Sequence, residues 1–188
     1  MGLFDRIAIE PPLDLGGGVR VGELQTKWRL LLAEDGRVLA EAYTSVERGS
    51  KLFFVTAFIA LEPKPGEALA WLPNYEACSL TTYRIGDAVE GAVLAGVADY
   101  GITDVVERSA GINPEAFERL KAARGAERSR LGDSETMTVK VPRGTLRLTR
   151  FPGEAQRAHL SLSLEPPAKT LEEADRALDE VLSSLGLL

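Results

Sequence analysis

Residues 51–61, KLFFVTAFIAL, are apolar at both sets of alternate positions. Phe53, Val55, Ala57, Ile59 and Leu61 share one side of an extended chain, and Leu52, Phe54, Phe58 and Ala60 share the other, interrupted only by Thr56. That pattern predicts a central strand covered on both faces. The run is too short to span a membrane, and three Phe with Val, Ile and Thr favour a strand over a buried helix.

Ahead of it, residues 27–44 read as a hairpin. Trp28, Leu30 and Leu32 alternate on the way in, Val38, Ala40 and Ala42 on the way out, and Asp35-Gly36 supplies the turn. Downstream, residues 87–100 place Val89, Val93, Val97 and Tyr100 at helical spacing and predict a helix, with Gly91, Ala92, Ala95 and Gly96 as a small-residue side suited to close approach. Asn113-Pro114 caps a second helix whose apolar side is only Phe117 and Leu120, and residues 125–135 read as a flexible linker. Three one-faced strands follow: Met137, Val139 and Val141, then Leu146 and Leu148, then Leu160, Leu162 and Leu164. A capping box at Thr170–Glu173 opens a terminal helix carrying Leu171, Ala174, Leu178, Val181, Leu182 and Leu185; its acidic face, Glu172, Asp175, Asp179 and Glu180, is read as solvated.

The expected fold class is α+β, antiparallel sheet with packed helices. The strand endings Ile59–Pro63 and Leu162–Pro166 resemble one another. They suggest an internal duplication: one compact unit over residues 1–188 with two βββα sub-halves, 1–106 and 134–188, joined by a helical linker at 107–133. On that reading residues 64–81 are extra material in the first copy, where scaffolds carry function.

Composition refines this little: an acidic globular chain with Arg outnumbering Lys 16 to 6 and only two Asn and two Gln, a bias seen in thermophiles and in GC-rich sources. Asp5 and Arg6 interrupt the start before any apolar run forms, so no secretory signal is read and the expected location is the cytoplasm, without membrane association. Charge is informative by region: residues 1–106 carry −6, 107–157 carry +4 and 158–188 carry −4. An anionic partner would go to the middle segment.

No motif names a reaction. Gly17 and Gly22 have phosphate-loop spacing, but Glu23 and Leu24 stand where Lys and a hydroxyl must follow, so the stretch reads as a turn. Cys78 and His159 are the single thiol and imidazole, which argues against a structural metal site, and no cofactor is implied. Glu76, two residues from Cys78, works against a reactive thiolate. The leading expectation is a non-catalytic binding or adaptor protein that recognises a protein or small ligand through residues 64–81, with Trp71, Asn74, Tyr75 and Glu76 as contacts. The alternative is a small hydrolase or transferase near Cys78 and His159. A third is an anion or nucleic-acid binder using the polar strand face with Lys140, Arg147 and His159, although that face lacks the aromatic platforms of single-strand binders. A homodimer could form through the Gly91/Ala95 side of the expected helix or through a sheet edge.

Overall fold

The computed structural model describes residues 5–63, 83–84, 88–89, 92–123 and 125–188. In chain order they form β1 (Asp5–Asp14), β2 (Arg20–Leu32), β3 (Val38–Arg48), β4 (Lys51–Pro63), β5 (Tyr83–Arg84), β6 (Ala88–Val89), β7 (Ala92–Ala95), β8 (Val97–Gly111), α1 (Pro114–Ala122), β9 (Glu127–Leu131), β10 (Ser134–Val141), β11 (Gly144–Arg150), β12 (Arg157–Ala168) and α2 (Leu171–Ser184). The chain divides into two compact units, residues 1–44 with 55–101 and residues 45–54 with 102–188. The division falls inside β3, β4 and β8, so each unit is built from two separate stretches of sequence.

In the first unit the strand order is β6-β7-β1-β2-β3-β4, with β5 beside β4. β1 with β2, β2 with β3, β4 with β5 and β6 with β7 pair antiparallel, whereas β1 and β7 run parallel from Ile7 opposite Val93 to Ile9 opposite Ala95; the long connection after β4 permits that crossover. Its buried side chains include Ile7, Ile9, Leu24, Val38, Ala40, Ala42, Val55, Ala57 and Ile59. The β2–β3 hairpin turns at residues 33–37, where Gly36 sits at φ +83 and Asp35 accepts the Arg37 backbone N–H at 3.1 Å. The Gly16–Gly18 stretch is the β1–β2 turn, all three at positive φ, and the Gly16 N–H is already taken by the Asp14 carboxylate at 3.0 Å.

Two expectations fail in this unit. The described residues of 87–100 form no helix; they form β6, β7 and the start of β8. Val89, Val93 and Val97 lie four apart, which suits a helix face, but they fall on three separate strands, and the β6–β7 register pairs Val93 with Ala88 and Val89 with Ala92. β-branched side chains with Gly91 and Gly96 then decide for the strand. Among the described residues the first half therefore has no helix in the place that the βββα reading gave it, and the small residues Gly91 and Ala95 lose the helix on which a dimer surface was expected. Strand β4 is also not covered on both sides: Val55, Ala57, Ile59 and Leu61 are buried, whereas Phe58 and Ala60 are half-buried and Phe54, in the second unit, is 38% exposed. Apolar composition does not by itself require burial.

The second unit is an antiparallel run in which β8 is followed by β12, β11, β10 and β9. One face buries Val105, Met137, Leu146, Leu148, Leu160 and Leu162, as the alternation predicts, and α2 buries Leu171, Ala174, Ala177, Leu178, Val181 and Leu182. The α2 cap is realised: the Thr170 hydroxyl accepts the Glu173 N–H at 3.2 Å, and the Glu173 carboxylate accepts the Lys169 N–H at 2.9 Å. The acidic side of α2 is ion-paired rather than simply solvated. Arg48 reaches Glu172 at 3.0 Å, Lys51 meets Asp175 and, at 3.3 Å, Asp179, and Arg143 lies 3.4 Å from Glu173. Burial works against the Lys51 charge, but the Asp175 hydrogen bond and both carboxylate charges outweigh it and hold the ammonium above its ordinary value. Residues 107–133, expected as a helical linker, hold the end of β8, α1 and β9; the stretch read as flexible supplies the β9–β10 hairpin.

Candidate functional site

Among the described residues of the second unit, the densest arrangement of charged side chains lies where α1 meets the end of β9, β10 and β11. Asn113 starts α1 by accepting the N–H groups of Glu115 at 3.0 Å and Ala116 at 3.4 Å, and Pro114 occupies the first helical position. The helix buries Ala116 and Phe117 and turns Glu118 and Lys121 toward the strands. The ladder sets Glu135 directly opposite Arg150 on β11 and Arg130 on β9. Three strands thus present a cation, an anion and a cation in one row, on the side that also carries Met137 and Leu148.

Glu135 is the centre of this row. It accepts from Lys121 at 2.8 Å, Arg150 at 2.9 Å and Arg130 at 3.3 Å. The Lys121 and Arg150 hydrogen bonds, in that order, outweigh burial and lower its pKa to about 2. Arg150 is held a second time by Glu118 at 2.5 Å and stacks over the Phe117 ring, 4.2 Å from its centroid. With only 17% of its side chain exposed, Arg150 loses hydration, but the two carboxylates more than compensate and raise its pKa; the Arg150 bond in turn lowers that of Glu118.

Two clefts share Arg130 and Glu135. The first, of about 330 Å³, is floored by Phe117 and Met137 and rimmed by Lys121, Arg128 and Arg130 against the single carboxylate of Glu135. The Arg128 side chain makes no ion pair or hydrogen bond with any described residue. The second, of about 420 Å³, sets Arg130 and Arg150 against Asp133, Glu135 and Glu154. Only the first therefore has an excess of positive charge, over an apolar floor, in the size range of small-ligand sites.

No known family model, curated protein or solved structure matches this chain. What the site can do is therefore read from its own chemistry.

None of the candidate site residues singled out by sequence that the structure describes lines the first cleft. Trp71, Asn74, Tyr75 and Glu76, and Cys78 with them, fall outside the described residues, so the contact surface at 64–81 and the Cys78–His159 pairing have no geometry here. Lys140, Arg147 and His159 do share the polar face of the second unit's sheet. The register aligns Thr136, Thr149 and His159 in one row, Thr138, Arg147 and Ser161 in the next, and Lys140, Thr145 and Ser163 in a third. The three basic residues step diagonally across the strands, neighbours roughly 7–8 Å apart. Lys140 donates to Thr145 at 2.9 Å, and Ser163 donates to Asp104 at 2.6 Å. They line neither cleft and form an open surface.

Sequence reading missed Glu118, Lys121, Arg128, Arg130, Glu135 and Arg150. Two signals pointed toward them: the +4 charge of residues 107–157, and the alternation of Arg128 with Arg130, which puts both on one side of a strand.

Proposed function

We propose that this chain is a non-catalytic binding protein that takes an anionic ligand, a carboxylate or phosphate ester with an apolar portion, in the cleft between α1 and the β9–β10 hairpin. The observation that carries this reading is the sign and shape of the cleft: three cations and one carboxylate around a floor of Phe117 and Met137. An anion gains from Lys121, Arg128 and Arg130, and the rest of the ligand lies over the edges of Phe117 and Met137, which are otherwise buried. Binding is favoured over catalysis because Glu135, with a pKa lowered to about 2, is a weak base, and neither Cys nor His lines the cleft.

The test is titration with benzoate and phenyl phosphate, followed by the NMR signals of the Met137 methyl and the Phe117 ring, with benzylamine as the cationic control. The anions should shift those signals saturably, with affinity falling as salt rises. Failure to saturate at about 20 mM ligand, where a millimolar site would be full, overturns the proposal. Equal binding of benzylamine does the same.

A further inference from the structure

Strand β9 ends the strand order, and among the described residues its one neighbour is β10. Every second residue of its outer edge therefore offers an unpaired backbone N–H and C=O, the template for adding a strand. Charged residues on such an edge ordinarily serve to prevent self-association. Here, however, they are of one sign on one side: Arg128 pairs opposite Met137 and Arg130 opposite Glu135, so both face α1 and the cleft.

Resting on the anion-binding reading of the same cleft, we infer that the natural ligand is an extended acidic segment of a partner protein, which adds to β9 as a further strand. An added strand repeats the side-chain alternation of its neighbour, so acidic residues two apart would stand beside Arg128 and Arg130, about 5 Å away across the ladder. The residue between them points to the opposite face, beside Ser129, where no charge is required. Lys121 backs the same side as the two arginines and adds to its positive potential. A second copy of β9 is the wrong occupant. Antiparallel self-pairing about Ser129 sets Arg128 against Arg130 twice, and a parallel in-register pair sets each arginine on itself; like charges directly opposite are destabilising. A five-residue strand spans about 17 Å, so a segment of roughly five to seven residues covers it.

The experiment uses the full chain and a fluorescein-labelled seven-residue peptide alternating threonine and glutamate, read by fluorescence anisotropy. Two controls carry the same charge: an isomer with its glutamates contiguous, and the alternating peptide N-methylated at every backbone amide. The alternating peptide should bind at least tenfold tighter than the contiguous isomer, the N-methylated peptide should not bind, and R128E should lose at least tenfold. R128Q, scored with R128E against unchanged circular dichroism, guards against a folding defect. Equal affinity of the two isomers, or binding of the N-methylated peptide, means attraction without strand addition and overturns the inference. If benzoate fills the cleft and the alternating peptide does not bind, the inference falls and the anion-binding reading stands; if neither binds, both fall.

Discussion

Replacing Glu135 by glutamine removes the one charge that holds three cations together while keeping the shape of the side chain. A lowering of the Glu135 pKa from 4.5 to about 2 corresponds at face value to about 3 kcal/mol of stabilisation. The cluster opens to water on the cleft side, and 20% of the Glu135 side chain is exposed, so screening should bring the loss in E135Q to about 1–2 kcal/mol. For a chain of this size that is a fall of about 3–6 °C in the unfolding midpoint. The sign of the pH dependence follows from the direction of the shift. Because the folded-state pKa lies below the unfolded one, the stabilisation is complete above about pH 4.5 and is lost as the pH falls through about 2. Urea unfolding of wild type and E135Q should therefore differ near neutral pH and converge on acidification. The same substitution leaves Lys121, Arg128 and Arg130 without an opposing carboxylate in the cleft, so benzoate should bind roughly threefold to tenfold tighter. Equal stability near neutral pH, or a difference that persists in acid, would refute this account of the cluster.

Two further substitutions probe the second unit away from the cleft. K51M leaves Asp175 and Asp179 without their shared cation, and the side chain it replaces is only 18% exposed; a loss of about 1 kcal/mol is expected in urea. Since the Lys51 pKa is raised, that contribution is full below about pH 10.5 and lost at higher pH as the folded-state ammonium deprotonates, so the two proteins should converge in alkali. G144A places a Cβ against the Ser163 carbonyl oxygen at a φ of +135, so it should lower the midpoint in a thermal melt by an amount equivalent to about 2–4 kcal/mol. A fully stable G144A would show that β11 and β12 can separate there at little cost.

Much of the fold was legible because its signals are local. The alternation Val55, Ala57, Ile59, Leu61 and the later Leu146, Leu148 and Leu160, Leu162 report a buried face residue by residue, and Asn113 and Thr170 mark helix starts through bonds to their own next turns. Residues 87–100 misled because valines four apart suit a helix, whereas the short strands they fall on carry too little alternation to announce themselves, and the pairing of β7 with β1 involves residues more than eighty positions away. The cleft was illegible for the same reason. Glu118 and Lys121 acquire meaning only when the register brings Glu135 and Arg150 to them, and Arg128 and Arg130 in a polar stretch carry no apolar alternation to announce a strand.

The interleaving of the two units in the chain has a consequence for synthesis. Residues 45–54 leave the ribosome between the two stretches that make the first unit, yet they belong with residues 102–188. Arg48 and Lys51 must wait for Glu172 and Asp175, each 124 positions later, a delay of about 6–25 s at ordinary translation rates. For that interval the nascent chain carries two unmatched cations among apolar residues that include Phe53 and Phe54. No single cut in the gene yields either unit as one continuous piece, and joining the ends leaves the two units still alternating along the chain, so dissection of this protein calls for point substitutions rather than truncation.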